Sequence, residues 1–191
     1  KKSRPASLFT ADTAKRVTLG NLEDDLDLIA DADWIVEVII EKLEPKRALM
    51  ERIENIRKPG SIVSSNTSGI PIAAIAEGRS EEFRQHFLGT HFFNPPRYLY
   101  LLEVIPTPDT LPEVVETISS FADHTLGKGV VLAKDRPNFI GNRIFTYAGQ
   151  VVMNYALANG YSVEEVDSLT GELIGRPRTA SFRLLDLVGG L

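Results

Sequence analysis

Between residues 88 and 104 the chain reads LGTHFFNPPRYLYLLEV, with His91 closing one apolar run and Glu103 inside the next. A glutamate flanked by Leu101, Leu102, Val104 and Ile105 is costly to bury alone, because its charge loses water and must recover the loss from a partner. His91 is the partner at hand. A carboxylate bonded to one imidazole nitrogen fixes the tautomer and leaves the other nitrogen to take a proton from a substrate, the arrangement of a general base. The competing reading is a core histidine satisfied by a backbone carbonyl. Of the three histidines only His91 sits at a strand end, since His86 lies in a polar run and His124 in a helical one.

Further clusters offer hydrogen-bonding chemistry. SSNTSG, residues 64–69, gathers small hydroxyl and amide groups between a strand and a helix, where they serve either as turn and N-cap residues or as substrate ligands. No G-x-S-x-G elbow surrounds Ser68, so its hydroxyl is read as a hydrogen-bonding group rather than a nucleophile. Glu41 and Lys46 stand just past the run DWIVEVII, where a ligand would meet the sheet, whereas Glu37 falls inside that run. Asn142, in PNFIGNR, follows Phe139 and Ile140 on a face expected to turn inward, where an amide must find partners. Tyr98 and Tyr100 are read as packing at a rim. Cysteine is absent, which excludes disulfides, thiolate catalysis, Cys-ligated zinc and iron–sulfur clusters, and no metal site is expected.

The elements that must position these residues follow from periodicity. DWIVEVII (33–40) reads as a strand covered on both faces, and SIVSSN, FLGTHFF, LLEVIP and GVVLAKD as further short strands. Between them, LEPKRALMERIENIR has apolar residues at helical spacing and stops at Lys58-Pro59-Gly60, IPIAAIAEG opens a short helix, and LPEVVETISSFADHTLG runs from Pro112 to Gly127. Strands alternating with helices predict an α/β fold with a doubly wound, mostly parallel sheet of Rossmann-like type. Such sheets bind ligands beyond the carboxyl ends of their strands, the edge on which Ser68, His91 and Glu41 are expected to meet. From Asn138 onward the pattern becomes all-helical, with NFIGNRIFTYAGQVVMNYALANG as one long helix, then SVEEVDSLTGELIG and SFRLLDLVG. A boundary near Asp135-Arg136-Pro137 therefore separates an α/β part, 1–136, from the start of a helical one, 137–191.

A net charge of −5 over 191 residues disfavours nucleic acid or an anionic membrane as partner. No apolar stretch reaches the ~18 residues of a membrane span, and the expected location is cytoplasmic. The dinucleotide signature G-x-G-x-x-G is missing; GKG and GRPR follow helices and fit no phosphate cradle.

Taken in order, NTSGIPI, GTHFFNPPRYLYLLEVI, DRPNFIGNRI and GRPRTASFRLLDLVG resemble the L-3-hydroxyacyl-CoA dehydrogenase family, in particular its long bacterial and archaeal forms fused to an enoyl-CoA hydratase. The likeness runs from about Arg16 to the last residue. It implies an NAD-binding α/β domain followed by a helical domain that mediates homodimerisation, and oxidation of a 3-hydroxyacyl-CoA to the 3-ketoacyl-CoA with NAD in fatty-acid β-oxidation. By motif, His91 matches the catalytic histidine, Glu103 the acid that orients it, Ser68 the serine bonded to the substrate oxygen and Asn142 the asparagine at the reacting acyl group. Asn66, Glu41, Lys46, Val38 and Ile39 match cofactor-contacting positions. The family's opening βαβ unit, with its glycine-rich turn, is expected to be missing from this chain, making it an N-terminally truncated fragment. The alternatives are an inactive dimerising fragment of such an enzyme and a 3-hydroxybutyryl-CoA dehydrogenase; a dehydrogenase of small hydroxy acids is disfavoured by the HFFNP block.

Overall fold

In the computed structural model, which describes residues 6 and 8–187, the apolar runs become a five-stranded sheet in the order β1-β2-β3-β4-β5. Its strands are β1 Trp34–Glu37, β2 Ile62–Ser65, β3 Phe87–Phe92, β4 Leu101–Pro106 and β5 Gly129–Leu132. β1, β2 and β3 run parallel, β4 returns antiparallel beside β3, and β5 runs parallel to β4. Helices α1 Leu43–Ile56, α2 Ile72–Ile75, α3 Glu81–Gln85 and α4 Pro112–His124 make the connections.

Side-chain alternation along the strands feeds a separate core on each face of the sheet. Val63, Phe87 and Ile105 pack with Leu49, Met50 and Ile53 of α1, Ile72 and Ile75 of α2 and Phe83 of α3. Ile62, Leu88, Leu102 and Val104 pack with Val114, Ile118 and Ala122 of α4. Burying both faces explains why β3 and β4 read as near-continuous apolar runs. Gly89 is needed on the first face: a Cβ there would lie 2.7 Å from Ile72 Cδ1 and 3.1 Å from Ile105 Cβ. Gly89→Ala is expected to destabilise the protein by about 1–3 kcal/mol through overpacking, measured as a lowered urea midpoint at unchanged slope.

Three local outcomes depart from the sequence pattern. β1 stops at Glu37 rather than Ile40, because the Glu37 carboxylate turns back to accept the Ile39 N–H at 2.6 Å. Helix α3 was not evident in EEFRQ; it forms where Ser80 caps it, the Ser80 Oγ accepting from Phe83 N at 3.2 Å. The long helix expected from Asn138 starts instead at Gly141, because Asn138 and Phe139 adopt left-handed backbone, φ 62° and 44°. The Asn94–Pro95 peptide between β3 and β4 is cis.

The chain divides into two compact units at Ile140/Gly141. The second is helical: α5 Gly141–Asn159, α6 Val163–Thr170 and α7 Phe182–Leu187. Ser162 and Glu165 form a reciprocal capping box on α6, and the Asp167 carboxylate accepts the N–H groups of Ser181, Phe182 and Arg183 at the start of α7. Val188 and Gly189, expected to continue α7, lie outside the described residues. Among the described residues no helix is long and apolar enough to cross a membrane.

Candidate active site

Antiparallel pairing of β3 with β4 sets His91 directly opposite Glu103. Because side chains alternate, both project to the face that carries Phe87 and Ile105. His91 Nδ1 lies 2.8 Å from Glu103 Oε2, with His91 3% exposed and Glu103 fully buried. Glu103 Oε1 accepts the backbone N–H of Ile140 at 2.9 Å. The left-handed pair Asn138-Phe139 delivers that N–H and lays the Phe139 ring 5.5 Å from the imidazole. Phe93 closes the other side, its ring 4.6 Å away in an edge contact. His91 is thus walled by aromatic rings, oriented by a carboxylate on one nitrogen, and left with Nε2 for chemistry.

Ser68 meets that nitrogen. Its Oγ is 3.2 Å from His91 Nε2, brought there by the turn that leaves β2. Asn66 anchors the start of the turn, its N–H donating to Glu37 O and its Oδ1 accepting from Phe92 N at 2.8 Å. Thr67, Ser68 and Gly69 then converge on one oxygen of Glu41: the Thr67 hydroxyl, the Ser68 N–H at 2.9 Å and the Gly69 N–H at 3.1 Å all donate to Oε1. Lys46 approaches the other oxygen at 3.3 Å. Its own ammonium is 1% exposed and lies 2.8 Å from Glu37 Oε1, while Glu37 Oε2 takes the Ser65 hydroxyl at 2.5 Å.

Burial alone would raise the pKa of Glu41. The hydrogen bonds from Thr67 and Ser68, the Lys46 charge and the Gly69 N–H outweigh it and hold the carboxyl below its ordinary 4.5. A carboxyl whose folded pKa is depressed contributes stability above its unfolded pKa and loses it as pH falls through the folded value. The turn at 67–69 is therefore expected to loosen as pH falls below the ordinary carboxyl range and through the lowered folded value, seen as faster exchange of the Ser68 and Gly69 amides, with Glu41→Gln flattening that dependence.

Beyond the carboxyl ends of the parallel strands lies a cleft of ≈ 410 Å³ lined by Val36, Val38, Asn66, Phe92, Phe93, Asn94 and Pro96. Val38 is 67% exposed there. Ile39 instead tucks against the core, its carbonyl accepting from Lys46 Nζ at 3.3 Å. Apolar walls with two side-chain amides, Asn66 and Asn94, suit a flat ring with polar edges. Lys128 holds the far rim, donating to Pro96 O and, at 2.7 Å, to Leu99 O. Tyr98 and Tyr100 are exposed on that loop.

The structure thus brings His91, Glu103, Ser68, Asn66, Glu41 and Lys46 together in the first unit. Asn142 belongs to the second, where it sits half-buried in the first turn of α5. Sequence reasoning passed over Glu37, Thr67 and Phe139. A charge inside an apolar run was the signal for Glu37; the left-handed turn behind Phe139 gave none.

Comparison with known proteins identifies the family. The family described as "3-hydroxyacyl-CoA dehydrogenase, NAD binding domain" matches residues 1–136. A Bacillus subtilis protein named "Probable 3-hydroxyacyl-CoA dehydrogenase" is 55% identical over 98% of this chain, which covers 24% of that protein. The human "Hydroxyacyl-coenzyme A dehydrogenase, mitochondrial" is 35% identical over 90% of the chain, covering 54% of its own length. Among solved structures, (S)-3-hydroxybutyryl-CoA dehydrogenase from Ralstonia eutropha superposes with a TM-score of 0.74 at 27% identity, over 85% of this chain and 56% of that one. The chain therefore spans between about a quarter and about half the length of these curated relatives.

Proposed function

We propose, since this chain belongs to the 3-hydroxyacyl-CoA dehydrogenase family through its NAD-binding domain, that the protein carrying it oxidises L-3-hydroxyacyl-CoA to 3-ketoacyl-CoA. The observation that supports this most is the buried His91–Glu103 pair with Ser68 Oγ 3.2 Å from the free ring nitrogen. With Glu103 on Nδ1, the ring keeps its proton there and offers Nε2 as base. A substrate hydroxyl seated between Nε2 and Ser68 Oγ gives its proton to His91 as the C3–O bond becomes a carbonyl. Ser68 then donates to the oxygen. The hydrogen on C3 leaves with its electron pair, and NAD, the cofactor in the family's name, supplies the acceptor. Once protonated, the ring has an opposite charge beside it in Glu103. Phe93 and Phe139 keep water from the exchange.

Asn66, Val38 and the free edge of Glu41 are the residues of this chain that would meet the nicotinamide and its ribose, with Ile39 and Lys46 holding Glu41 and the strand end from beneath. Asn142 is assigned to the acyl group by its motif. A role in β-oxidation, a homodimer formed through the helical unit and a cytoplasmic setting belong to the same proposal; exposed Ile144, Tyr155 and Leu157 on α5 support the dimer.

The test is oxidation of NADH, followed by absorbance, with acetoacetyl-CoA and with a longer 3-ketoacyl-CoA, using this chain and a version extended upstream. Turnover supports the reading, and faster turnover of acetoacetyl-CoA would favour a 3-hydroxybutyryl-CoA enzyme. Folded protein that turns over neither thioester in either version contradicts it and leaves a dimerising module without activity.

A further inference from the structure

We infer that Glu41, held from below by the buried Lys46–Glu37 ion pair, is a positioning residue that sets Ser68 against His91, in addition to any contact it makes with a cofactor. The inference rests on the proposed dehydrogenase reaction. The two oxygens of Glu41 divide the work. Oε1 receives three donors from consecutive residues, the Thr67 hydroxyl and the N–H groups of Ser68 and Gly69, more than its two lone pairs accept in ideal geometry. That oxygen is occupied by the turn. Oε2 has Lys46 at 3.3 Å and room for a hydroxyl besides, since the Glu41 side chain is 46% exposed.

The anchor beneath is bonded at several points. Lys46 Nζ is held by Glu37 Oε1 at 2.8 Å and Ile39 O at 3.3 Å; Glu37 also takes the Ile39 N–H at 2.6 Å and the Ser65 hydroxyl at 2.5 Å. Glu37 and Ser65 close β1 and β2, Ile39 follows β1, and Lys46 lies on the first turn of α1. Glu37 is 3% and Thr67 1% exposed, and the side-chain oxygens of both are engaged within this network. What Glu37 fixes is Lys46; what Lys46 fixes is Glu41; what Glu41 fixes is the Ser68 turn. A hydroxyl that must lie within hydrogen-bond reach of both His91 Nε2 and a substrate oxygen tolerates little drift, since misplacements of about 1 Å cost up to about 10²-fold in rate.

Two effects of Glu41→Gln should therefore separate. The kcat is expected to fall about tenfold, and that loss should vanish, to within about twofold, in a Ser68→Ala background, because two residues acting through one hydroxyl are not additive. Any rise in KM for NAD comes from Oε2 and should persist in both backgrounds. Thr67→Val leaves the carboxylate in place and removes one donor to Oε1; it should lower kcat about threefold without moving KM for NAD, and it carries the test if Glu41→Gln does not fold. Multiplicative kcat losses for Glu41→Gln and Ser68→Ala, or wild-type kcat in Thr67→Val, would overturn the inference. A readout independent of activity separates its failure from that of the reaction itself. In ¹⁵N-histidine-labelled protein, Glu41→Gln should move the His91 Nε2 resonance as Ser68→Ala does, and an unmoved resonance refutes the positioning role whatever the substrate.

Discussion

His91→Gln is expected to lower kcat by about 10²-fold or more, the usual contribution of a positioned general base, while the protein stays folded. Glutamine preserves much of the contact: its amide N–H reaches toward Glu103 Oε2, and its length suits the space between Phe93 and Phe139. What it lacks is a nitrogen that takes a proton. The loss should fall on kcat rather than on KM for NAD, because in the proposed reaction His91 meets the substrate oxygen, and it does not line the cleft formed by Val36, Val38 and Asn66. Lost stability would be modest, since one buried donor–acceptor contact is replaced by another. Steady-state kinetics on the extended protein check this, with thermal melts as control. Turnover within about threefold of wild type would remove His91 from the base role.

Glu103→Gln is expected to be nearly as damaging, by a different route. Glu103 Oε1 takes the Ile140 N–H and Oε2 faces His91 Nδ1. A glutamine placed there keeps its carbonyl on Ile140, because an N–H cannot face another N–H. Its NH₂ then points at Nδ1, which must become an acceptor, so the ring proton moves to Nε2. The nitrogen facing Ser68 and the substrate is thereby blocked. A comparable tautomer reversal in the serine-protease triad costs about 10⁴ in kcat; a loss of about 10²-fold or more is expected here. Glu103→Ala differs in kind: it leaves the buried His91 Nδ1–H without this acceptor and should cost about 1–3 kcal/mol of stability. Glu103→Gln that melts as wild type yet loses turnover separates orientation from folding.

Much of this site was legible because burial makes charge conspicuous. Glu103 among leucines and His91 at the close of an apolar run announced a pair, and the antiparallel register supplied the contact. The five strands were legible for the same reason, their apolar runs filling two cores. What periodicity does not carry is the behaviour of the backbone at element ends. DWIVEVII continues apolar past Glu37, but the carboxylate captures the Ile39 N–H and the strand stops. That change converts Glu37 from an interruption within a strand into the anchor of Lys46. EEFRQ has too few residues for a helical period; its turn depends on Ser80, whose N–H and hydroxyl both donate to Glu54 of α1. Asn138 and Phe139 continue an apolar helical pattern and yet turn left-handed. Asparagine tolerates that region and phenylalanine does not, and Phe139 holds it where its ring packs on His91. Strain of this kind gathers at functional sites and has no signature in spacing.

The central claim, that Glu103 keeps the proton on Nδ1 so that Nε2 is free to act as base, is most directly tested by a long-range ¹H–¹⁵N correlation spectrum of this chain labelled on its three histidines, with His91→Gln to assign the signal. At a pH where the ring is neutral, the account predicts that His91 shows a protonated Nδ1 and a bare, strongly deshielded Nε2. A ring carrying its proton on Nε2 would contradict it, for that nitrogen would have nothing left to accept.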